Sequence, residues 1–346
     1  MPSYNAIKDM EDVSERKRVT EKLLLLRAQL DRDIPVKTAA DTLLIATWNI
    51  RAFGNNRRDE SLYYIAEIIN RFDLVAVQEV AADIAGLQKL VQILGNKWDY
   101  IVTNSTDGAA GGGERMAFIF DGSKIIFRRM TGAIILPEDM LIGQKLQFAR
   151  TPYCVSFQAG WFKFMLATVH IYYGSSSKDN PRRLEEIAAV AGYINKRARV
   201  EGENYILMGD FNIFNRDDNA VKVLENNGFH IPEALRQHPT DLGKAKYYDQ
   251  IALKLMIDPN MTVFSEGRQR AGAFNFAESV YAPGDLCRYK QYFDVKNTAD
   301  KTDRQIENYY LTNWRTFQMS DHLPLWIELK IDFSNQYLER IEKTYC

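Results

Sequence analysis

Apolar runs alternate with amphipathic segments along the chain from about residue 41 onward. The runs at 42–50 and 73–80 are almost continuously apolar, which is typical of buried strands. Between them, the segment 58–72 places Leu62, Ile65 and Ile69 on one helical face, and a second amphipathic segment follows at 83–94. This part of the chain therefore predicts strand, helix, strand and helix in that order.

The middle of the chain predicts consecutive strands with no helix between them. These strands are predicted at 114–121, 124–130, 151–158 and 161–171. Such a series is typical of one sheet packed on another. A helix beginning at Asn180 and Pro181 comes next, followed by a strand at 205–211 and a short helix from Asp218 to Gly228. A last pair of strands is predicted at 247–255 and 322–331. The fold class is therefore α/β, with two packed sheets flanked by helices.

Three segments lie outside this pattern. Residues 1–40 predict a charged N-terminal helical extension, running from about Lys8 to Leu30 and ending before Pro35. The aromatic and polar stretch 256–319 separates the last two strands as an insertion, and its aromatic residues favour packing over substrate contact. Residues 332–346 form a C-terminal tail.

Composition excludes several classes of protein. The 346 residues are 46% hydrophobic and carry 44 Lys and Arg against 45 Asp and Glu, a net charge of −1. These values exclude disorder, collagen and a membrane bundle, and they give no overall field that attracts polyanions. Cys154, Cys287 and Cys346 are widely spaced, which favours a reducing compartment. The charged N-terminus has no apolar signal segment and no membrane span, so a cytoplasmic location is expected.

Polar residues recur where the predicted buried strands end, at the rim of a sheet where a ligand can reach them. They are Asn49, Glu79, His170, Asp210, Asn212, Asp249, Asp321 and His322. Taken singly, each is explained as well by a turn, a cap or a satisfied core residue. No one of them alone supports a function.

Their order along the chain is more informative. The strings W-N-I, Q-E-V, V-H-I, G-D-F-N, Y-D-Q-I and S-D-H-L-P, between Asn49 and Pro324, resemble the endonuclease/exonuclease/phosphatase superfamily, nearest in motif to its deoxyribonuclease I group. The resemblance implies a four-layered αββα sandwich, which agrees with the strand and helix pattern. It also makes residues 41–331 one domain rather than two or three.

The resemblance implies a role for each residue of the motifs. His170 and His322 would be general acid and base, oriented by Glu114 of GGERMAFIF and by Asp249, with Asp210 and Asn212 completing the catalytic set. Arg150 of FARTPYCVSF would contact the substrate phosphate, with Asn49 as a further candidate. Tyr172 is a candidate from its position alone, because it follows His170 where an aromatic group could hold a strand's phosphates or bases, and a solvated loop explains it equally well. Metal ligands would come from five residues: Glu79, Asp321, Asp210, Asn212 and Asn49. Oxygen ligands suit Mg²⁺, with Mn²⁺ or Ca²⁺ as alternatives, better than zinc.

The function expected from these residues is divalent-metal-dependent hydrolysis of DNA phosphodiesters by an endonuclease with two His–carboxylate dyads. The alternative is a phosphatase or phosphodiesterase acting on a lipid, an inositol or another small phosphoester. A catalytically inactive binding protein is disfavoured because both histidines and every expected ligand are present. The expected partner is nucleic acid, and the N-terminal helix is a candidate for docking a protein.

Overall fold

Eleven strands form two sheets in the computed structural model, which describes residues 1–106, 112–143, 145–177, 179–257, 262–264 and 270–345. The strands are β1 (Thr42–Phe53), β2 (Leu74–Val80), β3 (Trp98–Val102), β4 (Arg115–Asp121), β5 (Ile126–Ala133), β6 (Tyr153–Ala159), β7 (Phe162–His170), β8 (Asn204–Asp210), β9 (Asp249–Lys254), β10 (Ala271–Ala273) and β11 (Leu325–Lys330). One sheet has the order β10-β11-β1-β2-β4-β3 and the other β5-β6-β7-β8-β9. Only β1 with β2 and β7 with β8 run parallel among these pairs.

Helices cover the outer faces of both sheets. They are α1 (Val13–Asp33), α2 (Asp59–Asn70), α3 (Ala85–Leu94), α4 (Pro181–Glu201), α5 (Asn219–Asn226), α6 (Glu233–Arg236), α7 (Leu286–Tyr289), α8 (Asp303–Tyr309), α9 (Arg315–Gln318) and α10 (Ser334–Tyr345). Helices α1, α2 and α3 share a core with the six-stranded sheet, and α4 and α5 pack on the five-stranded sheet. The predicted four-layered αββα sandwich is confirmed.

Strand β1 shows how the sequence builds these layers. Leu43 and Ile45 belong to the core between the sheets, while Leu44, Ala46 and Trp48 belong to the outer core beneath the helices. Alternate residues of a strand point to opposite faces. A strand between two apolar layers must therefore be apolar at almost every position, as the run at 42–50 is.

The last two predicted strands are both present, as β9 and β11, but they do not pair with each other. Strand β9 is at the edge of the five-stranded sheet, whereas β11 lies between β10 and β1 in the other sheet. Within the described part of the insertion between them, the aromatic side chains pack as expected. Its aromatic residues Tyr281, Tyr289 and Trp314 are buried together against α2, where Tyr64 meets Tyr281.

The N-terminal helix α1 packs along one side on this outer core. Val19, Leu23, Leu26 and Leu30 are buried in it, while Leu24 and Leu25 are exposed. A buried ion pair joins Arg18 to Glu60 of α2, with Nη2 and Oε1 3.0 Å apart. None of the helices in the described part of the chain combines the length and apolar content that crossing a membrane requires.

Candidate active site

The candidate site lies where the two sheets meet at one edge. Asn49 is near the end of β1, and His170 and Asp210 are the last residues of β7 and β8. Asn49 Nδ2 donates to Glu79 Oε1 at 2.9 Å and to Asp210 Oδ2 at 3.0 Å. One buried amide therefore joins a carboxylate of the six-stranded sheet to a carboxylate of the five-stranded sheet.

A polar bridge supports this edge from below. Gln78 Nε2 donates to Thr168 Oγ1 of β7 at 2.9 Å and to Thr47 Oγ1 of β1 at 3.1 Å. All three side chains are buried. Because buried polar groups are costly unless they are paired, this bridge favours one alignment of the two sheets and so fixes the residues above it.

The backbone of the G-D-F-N motif is held in uncommon conformations. Gly209 has φ +143°, and a Cβ there would lie 2.0 Å from the carbonyl oxygen of Val169. Asn212 has φ +54°, and its N–H donates to Asp210 Oδ1 at 2.8 Å. Glu79 has φ +59°, which is uncommon for a residue with a side chain. Such conformations concentrate at functional sites.

Each ring nitrogen of His170 lies close to a carboxylate oxygen. Its Nδ1 lies 3.0 Å from Glu114 Oε2, and its Nε2 lies 3.5 Å from Asp210 Oδ2. Arg150 Nε donates to the same Glu114 oxygen at 2.7 Å. Burial raises the pKa of Glu114, but His170 and Arg150 outweigh it, so the pKa is lowered and the carboxylate is ionised.

His322 has a matching arrangement. Its Nδ1 lies 2.8 Å from Asp249 Oδ2 and its Nε2 lies 3.9 Å from Asp210 Oδ2. Burial alone lowers the pKa of His322, but the charges of Asp249 and Asp210 reverse this and raise it well above its ordinary value. Both imidazoles thus face Asp210 with Nε2 and a second carboxylate with Nδ1.

The donor set fits a hard divalent cation. Asn49 Oδ1 is buried and has no hydrogen-bond partner in the described part of the chain, although its amide nitrogen is fully used. Glu79, Glu114 and His170 each offer one ligand atom, and these atoms lie within 4.8 Å of one another. The sequence instead grouped Glu79 with Asp321, Asp210, Asn212 and Asn49. Carboxylate and amide oxygens dominate both groupings, which suits Mg²⁺ or Mn²⁺.

The remaining predicted residues lie nearby with different surroundings. Asp321 is partly exposed next to His322, and its charge contributes to the raised pKa of that histidine. The ring of Tyr172 lies 4.3 Å from the guanidinium of Arg182. Arg150 is engaged by Glu114, so the predicted phosphate contact is paired in this structure.

Two residues that the sequence analysis did not single out connect the parts of the site. Ser320 Oγ donates to Asn49 O at 2.6 Å and accepts from His322 N at 2.9 Å. Glu186 of α4 is fully buried and accepts from Ala149 N and Tyr172 N, each at 3.0 Å. Ser320 is the serine of the S-D-H-L-P motif, so its place next to Asp321 and His322 could have indicated a role in the site. Glu186 looks in sequence like any other residue of an amphipathic helix.

Two packed mixed sheets flanked by helices, with carboxylates and histidines at their shared edge, place the chain in the class of four-layered αββα sandwich proteins. This chain belongs to the endonuclease/exonuclease/phosphatase family, whose model matches residues 46–258. The family's enzymes depend on divalent metals, in agreement with the oxygen-rich donor set described above.

Several known proteins are similar to this chain. A deoxyribonuclease of Thioalkalivibrio sp. (strain K90mix) is 31% identical over 189 residues, covering 52% of this chain and 48% of that protein. Deoxyribonuclease gamma of Rattus norvegicus is 26% identical over 183 residues, covering 49% of this chain and 56% of the relative. This chain thus spans about half the length of these curated relatives.

A solved structure supports the fold over a longer range. The endonuclease/exonuclease/phosphatase family protein from Bacteroides thetaiotaomicron superposes with a TM-score of 0.54 at 16% identity, covering 85% of this chain and 96% of that one. At this identity the likeness concerns the fold alone.

Proposed function

We propose that this protein is a divalent-metal-dependent endonuclease that hydrolyses phosphodiester bonds in DNA. One observation carries the proposal. The Nε2 atoms of His170 and His322 lie 3.5 and 3.9 Å from the same Asp210 oxygen, while a carboxylate holds each Nδ1. Two oriented imidazoles facing one carboxylate suit a reaction that takes a proton from water and gives one to a departing oxygen.

The chain's own residues have separate tasks in this proposal. A phosphodiester is an anion that resists attack, so positive charge must be held close to it. A divalent cation held by Glu79, Asp210, Asn212, Asp321 and Asn49 would neutralise charge that develops on the phosphate. One histidine removes the proton of the attacking water. The other donates the proton on its Nε2 to the leaving oxygen. Glu114 and Asp249 hold the Nδ1 protons and so fix which nitrogen faces the phosphate.

The DNA specificity rests on similarity to proteins named deoxyribonucleases at 26–31% identity. The alternative, a phosphatase or phosphodiesterase acting on a lipid or inositol headgroup, has less support. The motif strings at GDFNIF and YYDQIAL lack the G-D-x-N-x-R and Trp-Cys-Asp-Arg strings that would accompany it. A cytoplasmic location and a protein partner for the N-terminal helix stay predictions.

Substrate specificity is tested with the whole chain and a single conservative substitution. Wild type and Asp210→Asn are incubated with supercoiled plasmid, linear duplex, RNA and phosphoinositide vesicles, each with Mg²⁺, Mn²⁺ or a chelator. We expect metal-dependent nicked circles before linear product, reduced at least about 100-fold in Asp210→Asn. Asp217→Asn, whose carboxylate is 86% exposed, is the control and should nick normally. Phosphate release from lipid alone would overturn the proposal.

The histidine that acts as general acid can be told from the one that acts as base by comparing a substrate whose leaving group needs a proton with one whose leaving group does not. His170→Ala and His322→Ala should each slow plasmid nicking by about 10²- to 10⁴-fold. With bis(p-nitrophenyl) phosphate, whose leaving group needs no proton, the variant lacking the general acid should recover most activity. The variant lacking the base should not recover. Wild-type nicking by either variant would contradict the dyad mechanism.

A further inference from the structure

Two exposed aromatic side chains lie at the rim of the candidate site, one on the side of each sheet. Phe317 of α9 is 40% exposed, and Tyr173, just after β7, is 42% exposed. Single exposed apolar residues are common on protein surfaces, but these two rings flank one and the same site. The mechanism proposed above uses neither ring.

Phe317 is fixed to the site through Arg51. The guanidinium carbon of Arg51 lies 4.0 Å from the centroid of the Phe317 ring, and Nη1 donates to Thr316 Oγ1 at 2.5 Å. Arg51 follows Asn49 by two residues in β1, and its backbone N–H donates to Ser320 Oγ at 3.3 Å. Ser320 also bonds to Asn49 and His322. The Arg51–Phe317 pair is therefore a flat cationic and aromatic surface held directly beside the site.

Tyr173 reaches the site through a row of rings. Its ring centroid lies 6.0 Å from that of Phe214, which in turn makes a T-shaped contact with Tyr248 at a centroid distance of 5.5 Å. Tyr248 in turn stacks on the imidazole of His322 with centroids 5.3 Å apart and planes inclined by 29°. The Tyr173–Phe214 pair thus ends an aromatic row that begins at His322.

The segment that carries Tyr173 is held in place from below. Arg183 of α4 is fully buried and donates to four carbonyl oxygens, those of Tyr172, Tyr173, Ser175 and Ser177, at 3.4, 2.5, 2.7 and 3.0 Å. Lys246 Nζ lies 4.9 Å from the Phe214 centroid and adds a positive charge to this side. A rigid ring beside a cation needs little reorganisation to accept a flat group attached to a phosphate.

The chemistry of the ligand follows from these two pairs. A phosphodiester carries one nucleoside on each side, and every base has a flat face that can stack on an aromatic ring. In a duplex those faces are already covered by neighbouring base pairs. Rings on both sides of the site therefore suit a strand whose bases are unpaired at the scissile bond.

Building on the proposed function, we propose that the exposed rings of Phe317, supported by Arg51, and of Tyr173, supported by Phe214, are stacking subsites for unpaired bases on either side of the scissile phosphate. The substrate is accordingly a DNA strand that is single-stranded or locally unpaired where it is cut. Fully paired duplex is cut mainly where it opens.

The experiment compares ring variants on substrates with and without bases. Phe317→Ala, Tyr173→Ala and the double variant are assayed on a single-stranded oligonucleotide, its duplex, a duplex with a two-base bulge and bis(p-nitrophenyl) phosphate. Each single variant should raise the KM for the single strand and for the bulged duplex by about 5- to 150-fold. The KM for bis(p-nitrophenyl) phosphate should stay unchanged. Phe317→Trp and Tyr173→Phe should retain wild-type values. Tyr337→Ala, which removes a 37% exposed ring on α10, is the matched control.

An oligonucleotide with one base replaced by an abasic residue sharpens the test. Removing the base beside the cut should lower the cleavage efficiency (kcat/KM) of wild type by a similar factor. The variant that already lacks the ring facing that base should cleave both oligonucleotides equally well, because the base and the ring take part in the same contact. Equal cleavage of duplex and single strand by wild type, or unchanged KM in the ring variants, would overturn the stacking subsites while leaving the nuclease proposal intact. Failure of wild type to cleave any diester would overturn both.

Discussion

Gly209 illustrates how one residue determines the geometry of the site. A Cβ at this position would lie 2.0 Å from Val169 O and 2.8 Å from Val169 N, both backbone atoms of the neighbouring strand β7. No side-chain rotation can relieve such a contact. The glycine before Asp210 is therefore needed because β7 and β8 approach so closely where His170 and Asp210 lie side by side in register.

Replacing Gly209 by alanine should disrupt both stability and activity. We expect Gly209→Ala to lower the free energy of unfolding by more than about 4 kcal/mol, since the two strands must separate and the positive φ is also unfavourable. Urea denaturation measures this loss. Gly132→Ala, where a Cβ meets nothing within 4 Å, should change stability by no more than about 0.5 kcal/mol. A stable, active Gly209→Ala protein would contradict this account.

At the scale of elements, the pattern of apolar positions predicts what is local. It places β1, α2 and β2 because a buried strand and an amphipathic helix have different periods. It misses β3, a five-residue strand at the edge of its sheet with only Trp98 buried, since such a strand has no continuous apolar run. It also cannot say that β9 and β11 belong to different sheets, because partner choice depends on the whole fold.

The same limit applies to the site. Motif order predicts that Asn49, Glu79 and Asp210 converge, and their hydrogen bonds agree. The contact of Glu186 with Ala149 joins residues 37 positions apart through a backbone N–H, and no side-chain pattern signals such a bond. Residues that position other residues are therefore the part of the site that sequence reasoning finds last.

Strand β4 ends at Asp121, a carboxylate that is contacted by residues of three separate loop segments. Asp121 accepts from Ser123 Oγ at 2.5 Å and Lys37 Nζ at 3.2 Å, and it also contacts Lys97. Burial raises the pKa of Asp121, but Lys97, Ser123 and Lys37 outweigh it and lower the pKa to about 2. Because the folded value lies below the unfolded one, this group stabilises the fold above about pH 4 and ceases to do so as the pH falls through 2.

Asp121→Asn should therefore have a pH-dependent cost. At pH 7 we expect a loss of about 1 kcal/mol in the free energy of unfolding, after reducing the full value for solvent screening. The difference between variant and wild type in the free energy of unfolding should become smaller as the pH falls from about 4 toward 2. Urea denaturation across that range measures it, with Asp217→Asn as the exposed control. A difference independent of pH would mean that the charge of Asp121 is not responsible.

For the whole molecule, the outer core unites segments distant in sequence. Helix α1, helices α2 and α3, and the insertion pack in one cluster on the six-stranded sheet. Polar contacts add to this, since Lys22 Nζ of α1 lies 2.6 Å from Asp285 Oδ2 in the insertion. The N-terminal helix and the insertion should consequently unfold together with the sheet rather than before it.

The four consecutive leucines of α1 allow a matched test of that conclusion. Leu26 is completely buried, whereas its neighbour Leu25 is 54% exposed. Leu26→Ala should lower the free energy of unfolding by about 2–5 kcal/mol within a single transition, because it leaves a cavity in the shared core. Leu25→Ala should change it by less than about 0.5 kcal/mol. Both are measured by urea denaturation followed by tryptophan fluorescence and by circular dichroism, since Trp48 lies in the core that α1 covers. If α1 were an independent appendage, Leu26→Ala would melt the helix alone in an early transition, and the main transition would stay where it is in wild type.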